Sequence, residues 1–202
     1  MTPQQPTKPT TTLTPGYFDD VYRANDDPWQ FASSPYERDK YATTLAALSR
    51  PRYERAFEIG SSIGVFTAQL APRCGYLLSV DVSEAALAQA RQRCAALPQV
   101  EIKKMQVPDE FPTGQFDLIL LAEVGYYMSP PDLARTADRL LAALPAGGQL
   151  LLVHWTPVVH DYPQTGDEVH EFFLQKTRDG GPLSHLAGQR HDRYRLDLLQ
   201  KR

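Results

Sequence analysis

The amino-acid sequence predicts an α/β fold built on a doubly wound, mostly parallel sheet. Three observations predict it. Short apolar segments alternate with helical patterns five times after residue 50, which is typical of parallel strands joined by crossover helices. A turn containing Gly60 and Gly64 follows the first strand, and the second strand ends in a carboxylate, Asp81.

The composition sets limits on size, partners and location. A chain of 202 residues with 42% apolar residues suits one domain with a substantial core. A net charge of -3 disfavours nucleic acid as the main partner. No apolar run reaches the roughly 20 residues of a membrane helix, and the N-terminus lacks the pattern of a signal peptide. The two cysteines have no metal-type spacing, so we expect a reduced cytoplasmic protein without membrane partners.

The first 50 residues precede the alternating pattern. Residues 1–15 are rich in Thr, Pro and Gln, and we expect them to be a disordered tail. Residues 16–50 predict helices, beginning with an aromatic-rich one over Tyr17–Tyr22. A second helix follows Ser34, which is expected to cap it in a capping box with Glu37. We expect residues 16–202 to form a single domain in which residues 16–50 are a helical lid.

The remaining elements follow in regular order. The predicted strands cover residues 55–59, 76–80, 100–104, 116–121 and 149–155, and the predicted helices cover 63–71, 83–94 and 131–144. The fourth strand is the most apolar and is therefore expected at the centre of the sheet. The connection over 107–115 predicts no helix. Beyond Trp155 we expect a helix that Asp167 caps and that runs to Phe173, and two last strands, over 183–189 and 194–199.

The glycine turn and Asp81 predict a nucleoside site at the carboxyl ends of the strands. A carboxylate at this position can accept two hydrogen bonds from a ribose diol. A dinucleotide would require G-x-G-x-x-G, whereas the pattern here is Glu58-x-Gly60-x-x-x-Gly64. Glu58 lies so close to the turn that it would repel a pyrophosphate, but it suits a cationic ligand.

The E-x-G-x-x-x-G pattern with Asp81 resembles the seven-stranded class I methyltransferases, although Ser62 stands where their pattern has a third glycine. The chain further resembles the bacterial nodulation-S N-methyltransferases in Asp27-Pro28-Trp29, Tyr36–Tyr41, Leu151–Trp155 and Thr165–His170. The resemblance implies a closing antiparallel strand and S-adenosyl-L-methionine as cofactor, with S-adenosyl-L-homocysteine as product. It also implies an amine acceptor on a small molecule, amino sugar or chitooligosaccharide. The alternatives are an O-methyltransferase on a small metabolite and a non-catalytic module that binds the cofactor.

The residues expected to bind the cofactor lie on the turn, at the strand ends or on the lid. They are Trp29, Arg38, Glu58, Gly60, Ser61, Gly64, Asp81, Val82, Gln106 and Val107. Asp81 is expected on the ribose, Val82 on one adenine face, and Arg38 on the cofactor carboxylate in a bidentate pair. For Arg38 and Gln106 a solvated position is the alternative, and for Trp29 the alternative is packing in a small cluster.

The acceptor side is predicted at the ends of the fourth and fifth strands. An ammonium has no lone pair, so Glu123 or His154 is expected to remove a proton from the acceptor or to orient it. For His154 the alternative is a hydrogen-bonded core histidine. Tyr126 and Tyr127 are expected to stack on a sugar ring, or else to lie in the core. No metal pattern is found, and a monomer or homodimer is expected.

Overall fold

The computed structural model describes residues 8–202. Its strands are β1 (Tyr53–Ile59), β2 (Cys74–Asp81), β3 (Val100–Lys104), β4 (Leu118–Ala122), β5 (Gln149–Trp155), β6 (Leu183–Arg190) and β7 (Tyr194–Lys201). Its helices are α1 (Pro15–Ala24), α2 (Pro35–Ala47), α3 (Val65–Leu70), α4 (Glu84–Arg93), α5 (Pro130–Ala143) and α6 (Gly166–Gln175). The predicted order of strands and helices is confirmed.

The seven strands form one sheet in the order β3-β2-β1-β4-β5-β7-β6. The first five strands are parallel, and β7 runs antiparallel to both of its neighbours. The strand order reverses between β1 and β4, which is where doubly wound sheets bind ligands. The predicted fold class is confirmed, and the apolar β4 is the middle strand, as expected.

The core lies in two layers because successive side chains of a strand point to opposite faces of the sheet. Phe57, Ile119 and Leu152 pack on the face that α5 and α6 cover. Their neighbours Ala56 and Leu118 pack on the opposite face, beneath α3. None of the helices between residues 8 and 202 is long and apolar enough to cross a membrane.

Two predicted helix caps are wrong. The Ser34 side chain makes no capping hydrogen bond at α2. The other half of the predicted capping box is also missing, because Glu37 turns inward and pairs with Lys40 instead of reaching back to the cap. At α6 the cap is Thr165 rather than Asp167, and it forms a capping box with Glu168. The Thr-x-x-Glu spacing of that box was present in the sequence.

The prediction of disorder for the N-terminal tail is wrong for residues 8–14, which contact the rest of the protein. The backbone N–H of Leu13 donates to the Tyr127 carbonyl at 3.0 Å. The Thr12 hydroxyl donates to a carboxylate at the start of α5. These polar contacts replace the apolar burial that the composition of the segment lacks. The first seven residues of the predicted tail lie outside the described residues.

Candidate active site

A cavity of about 470 Å³ lies at the carboxyl ends of the parallel strands. Its volume is within the range of roughly 300–1,000 Å³ that ligand pockets occupy. The strand ends contribute Ile59, Val80, Ala122 and Trp155 to its wall, and the N-terminal segment contributes Phe18, Tyr22, Trp29, Phe31 and Tyr36. The predicted lid residues therefore lie against the cavity, and Trp29 reaches it while stacking on Phe31.

The turn after β1 brings backbone to the cavity at Gly60. This glycine has φ +87°, and a Cβ there would lie 2.2 Å from Cγ2 of Val124, so no larger residue fits. Gly64 has a different role from the predicted one. A Cβ on it would lie 2.8 Å from the Cα of Ala90, so it permits close packing of α3 on α4 rather than approach of a ligand. Ser62, at the third-glycine position, also has positive φ.

Asp81 is held rigidly at the edge of the cavity. Its Oδ2 accepts from the Ser62 N–H at 2.9 Å, and its Oδ1 accepts from the Ser83 N–H at 3.0 Å. Burial raises the pKa of the carboxyl, and these backbone N–H groups oppose that rise. Each oxygen keeps a lone pair, and the residue lines the cavity together with Val82.

The loop after β3 forms the neighbouring wall. The Met105 N–H donates to the Asp81 carbonyl at 3.0 Å, which holds this loop beside the end of the cavity that Asp81 lines. Gln106 and Val107 line the cavity, and their contact with the cofactor stays a prediction. Val82 and Val107 give this end two apolar side chains suited to the faces of a purine ring.

Glu58 and Ser61 do not reach the large cavity. They line a smaller cavity of about 50 Å³ behind the turn. Oε2 of Glu58 accepts from the hydroxyls of Thr67 and Ser79, both at 2.6 Å. Burial raises the pKa of Glu58 to about 7 in spite of these donors. Neither side chain therefore lies where its predicted cofactor contact would be made. Glu58 supports the turn from behind, and the buried Ser61 hydroxyl has no hydrogen-bond partner among the described residues.

The prediction that Arg38 pairs with the cofactor carboxylate is wrong. Its side chain is 73% exposed and pairs with Asp39 at 3.4 Å, away from the cavity. The reason is that a different side of α2 packs against the protein. The buried residues of α2 are Glu37, Lys40 and Thr44, and their spacing of three and four residues places them on one side of the helix. Arg38 lies on the opposite side.

Lys40 is the cation that the sequence analysis missed. It is 4% exposed, and its ammonium donates to Oε1 of Glu123 at 2.6 Å and to Oε1 of Glu37 at 3.0 Å. Burial opposes its charge, but the two carboxylates raise the pKa of Lys40 above its ordinary value. All three side chains line the cavity.

Glu123 occupies the predicted place at the end of β4, where it has φ +57°. Besides Lys40, it accepts from the Tyr126 hydroxyl at 2.7 Å and from the Trp155 N–H at 2.8 Å, both through Oε2. The carboxylate thus ties together α2, the end of β5 and the short 3-10 turn over Gly125–Tyr127. Its geometry suits positioning more than proton removal.

Tyr126 and Tyr127, the predicted acceptor-binding residues, line the cavity, and their contact with an acceptor stays a prediction. Tyr162 stacks on Tyr126 with ring centres 5.3 Å apart and meets Tyr127 edge-on at 4.7 Å. Sequence reasoning missed Tyr162, because it lies in a polar loop with no periodic pattern. One face of Tyr126 is therefore already covered by protein.

His154 is not in the cavity, and its predicted role as a base is wrong. It is fully buried behind the 3-10 turn, where its Nε2 accepts from the Gly125 N–H at 3.1 Å. Its Nδ1 lies 3.1 Å from Nε2 of His170. Nδ1 of His170 lies 2.6 Å from Oδ2 of Asp197, a residue on β7. We call His154, His170 and Asp197 the buried relay.

The backbone of Gly125 fixes the tautomers along the buried relay. An N–H can only donate, so Nε2 of His154 accepts and its proton is on Nδ1. That proton points at Nε2 of His170, whose own proton is then on Nδ1 and faces Asp197. Both imidazoles are neutral in this arrangement, consistent with burial lowering the pKa of His154 well below its ordinary value and lowering that of His170.

Acidification below about pH 6.5 should therefore destabilise the fold through the buried relay. The unfolded chain takes up protons on His154 and His170 near that pH, whereas the folded chain resists protonation to lower values. Glu58, with its pKa raised to about 7, acts with the opposite sign. The measurement is the unfolding free energy in urea across this range for the wild type and His154→Gln.

The variant should show a shallower fall than the wild type, because one of the two titrating imidazoles is gone. His160→Gln, at an exposed position, should retain the wild-type slope. An unchanged slope in His154→Gln would contradict the neutral relay.

The strand order, the glycine turn after β1 and the carboxylate that ends β2 define a protein with the class I methyltransferase fold. The profile of the Nodulation protein S (NodS) family matches residues 20–154. The chain belongs to this family, which confirms the resemblance that the sequence motifs indicated.

Relatives agree with this assignment. Nodulation protein S of Rhizobium tropici is 33% identical over 130 residues, which are 63% of this chain and 55% of that protein. Nodulation protein S of Sinorhizobium fredii (strain NBRC 101917 / NGR234) is 34% identical over 131 residues, 63% of this chain and 60% of that protein. The matched part thus spans less than two thirds of the length of these curated relatives.

Solved structures extend the similarity across the fold. A candidate methyltransferase from Pseudomonas syringae is 38% identical with a TM-score of 0.71, covering 83% of this chain and 99% of that chain. The N-methyltransferase NodS from Bradyrhizobium japonicum WM9, solved with S-adenosyl-L-homocysteine, is 24% identical with a TM-score of 0.82. That likeness covers 94% of this chain and 99% of the other, and it shows that the two share a fold.

Proposed function

We propose that this protein is an S-adenosyl-L-methionine-dependent N-methyltransferase that releases S-adenosyl-L-homocysteine. The observation that carries the proposal is Asp81, fixed by two backbone N–H groups at the edge of a large cavity, where the strand order reverses. Membership of the NodS family supports it, as does the relative of the same fold that was solved with S-adenosyl-L-homocysteine.

The residues at the cavity fit this cofactor. Asp81 has the lone pairs to accept both hydroxyls of a ribose, and Val82 and Val107 offer apolar contact for adenine. Gly60 lets the ligand approach the backbone. When bound, the cofactor supplies a methyl group on a positively charged sulfur. Glu37 and Glu123 place two carboxylates at one end of the cavity, beside the cations Lys40 and Arg193. A cationic acceptor can pair with such a carboxylate.

Alignment and exclusion of water are two contributions of the protein to catalysis. Holding two reactants in line replaces a bimolecular encounter by a step within one complex. The aromatic side chains of α1 and of the segment before α2 cover the cavity. We extend the proposal to a lid over residues 16–50 that closes on the bound cofactor.

The acceptor we propose is an amine on a small molecule, an amino sugar or a chitooligosaccharide. Tyr126 and Tyr127 then supply aromatic wall for a sugar ring. An O-methyltransferase and a non-catalytic cofactor-binding module are the alternatives, and labelled methyl transfer to amines and hydroxylated metabolites separates them.

We also retain a cytoplasmic location and a monomer or homodimer as proposals.

Asp81→Ala tests the cofactor site. Removing a carboxylate that accepts hydrogen bonds from the ribose should weaken S-adenosyl-L-homocysteine binding by roughly 1.5–3 kcal/mol, or about 10- to 150-fold in the dissociation constant. Isothermal titration calorimetry measures the effect. Asp20→Ala, at an exposed position on α1, is the matched control and should bind like the wild type. Unchanged affinity in Asp81→Ala would remove the central assignment.

A further inference from the structure

The acceptor end of the cavity holds two carboxylates, and their hydrogen bonds differ. Glu123 already accepts from the Lys40 ammonium, the Tyr126 hydroxyl and the Trp155 N–H. A proton added to Glu123 would compete with these three donors. It is therefore poorly placed to take a proton from a substrate.

Glu37 can still accept a hydrogen bond. It is 6% exposed and lines the cavity, yet its Oε2 accepts no hydrogen bond among the described residues. Lys40 does approach this oxygen to 2.9 Å, but its hydrogen bonds go to Oε1 of Glu37 and to Glu123. Oε2 is therefore ion-paired with Lys40, but no donor is directed at its lone pairs, and a ligand N–H can bond there.

The preceding residue has the same property. The hydroxyl of Tyr36 is buried and unpartnered within residues 8–202, and Tyr36 also lines the cavity. The ring is held edge-on against Trp155 and Tyr194, so the hydroxyl is fixed in position. In the described chain, three buried side-chain oxygens have no hydrogen-bond partner. Two of them belong to the neighbouring residues Tyr36 and Glu37, which line the same end of the cavity.

We propose that Glu37 accepts the proton of the acceptor ammonium and that the Tyr36 hydroxyl bonds a polar group beside that amine. This inference rests on the proposed N-methyltransferase function and names the residues that receive its acceptor. A carboxylate and a phenol together bind a primary ammonium with a neighbouring polar group, the arrangement found in amino sugars and amino alcohols.

The transfer balances with Glu37 as the base. One N–H proton of the ammonium passes to the Glu37 carboxylate, which leaves a lone pair on nitrogen. That pair forms the new C–N bond to the donor methyl carbon, while the electrons of the broken C–S bond return to sulfur. The products are a methylated ammonium, a neutral thioether and a protonated Glu37, which returns its proton to water once the site opens.

The charged surroundings keep Glu37 suited to this task. Burial raises its pKa, and Lys40 opposes the rise. The charged and titratable groups that face it come from its own helix, the connection before it, the end of β4 and the β6–β7 connection: Tyr36, Lys40, Tyr41, Asp27, Glu123 and Arg193. A base whose pKa is raised toward the working pH is more effective than an ordinary carboxylate.

The experiment is steady-state methyl transfer to a panel of primary amines, with calorimetry of S-adenosyl-L-homocysteine as a separate readout. Glu37→Gln should lower kcat/KM at neutral pH by about 10²- to 10⁴-fold and leave the calorimetric affinity unchanged. The wild-type kcat/KM should rise through the Glu37 pKa and fall above the amine pKa. In Glu37→Gln it should only rise, toward the amine pKa, because the free amine alone can react.

Two further variants serve as a control and as an independent test. Asp39→Asn, on the exposed face of the same helix, should behave like the wild type. Tyr36→Phe should raise the acceptor KM roughly 3- to 10-fold, the scale of one hydrogen bond, with kcat retained. If Glu37→Gln fails to fold, a wild-type profile that rises through the amine pKa without falling, together with an unchanged KM in Tyr36→Phe, would overturn the proposal.

These measurements distinguish failure of the Glu37 assignment from failure of the proposed N-methyltransferase function. If the wild type methylates an amine and Glu37→Gln retains both kcat and the falling limb of the profile, the assignment of Glu37 is wrong while the proposed function stands. If the wild type binds S-adenosyl-L-homocysteine but methylates no amine, the proposed N-methyltransferase function fails and the role of Glu37 fails with it.

Discussion

Asp197→Ala should lower the free energy of unfolding by about 3–5 kcal/mol, the cost of removing one partner from a buried charged network. Asp197 is 2% exposed. Its oxygens accept from His170 and from Arg195, and they also contact His185. Without the carboxylate, the Nδ1 proton of His170 has no acceptor, and the arrangement that holds the Gly125 turn through His154 is lost. Urea denaturation measures the change.

The control is Asp192→Ala, an exposed position in the connection between β6 and β7, which should change stability by less than about 0.5 kcal/mol. Asp197→Asn should fall between the two, because its amide oxygen can still accept from one donor. A loss in Asp197→Ala no larger than in Asp192→Ala would show that the buried relay contributes nothing to stability.

The fold could be predicted from the sequence because its signals are local. The apolar run of β4 identified the central strand, since a strand covered on both faces has no polar side. Asp81 was placed correctly for a related reason: the carboxyl ends of parallel strands share one edge of the sheet, so a residue just after a strand must lie near that edge.

The errors at the site arose where tertiary contacts decide what a side chain touches. Arg38 and Lys40 are two residues apart on one helix, and local pattern alone did not show which of them faces the cavity. The fact that Glu37, Lys40 and Thr44 share a face becomes informative only once the sheet is known to lie beneath it. The burial of His154 was missed for the same reason, because its partner His170 is held by Asp197, which lies on a later strand whose register the sequence does not reveal.

Motif residues were a further source of error because a motif records position and not contact. Gly60 and Gly64 belong to the same turn and both have positive φ. One contacts Val124 at the cavity, and the other contacts Ala90 in a helix interface. Glu58 likewise belongs to the motif but bonds the hydroxyls behind the turn. The motif therefore identified the turn correctly, whereas the role of each of its residues required the packing around it.

Removing the buried Lys40 ammonium should have the second large effect on stability. Lys40→Met should lower the free energy of unfolding near pH 7 by about 3–5 kcal/mol, because Glu37 and Glu123 would then face each other without their shared partner. Lys103→Met removes an exposed lysine that pairs with Glu101 and should cost less than about 1 kcal/mol. Urea denaturation of both variants against the wild type measures the difference.

The pH dependence of Lys40→Met distinguishes loss of charge pairing from loss of packing. Without the ammonium, the folded-state pKa of Glu37 should rise further above its unfolded value of about 4.3. A carboxyl with a raised folded pKa gives stability that is present below the unfolded pKa and is lost as the pH rises through the folded one. The deficit of Lys40→Met should therefore shrink on acidification, and Glu37→Gln in the same chain should recover part of it at pH 7. A deficit that stays constant with pH and is not recovered by Glu37→Gln would mean that Lys40 acts through packing of its aliphatic stem alone.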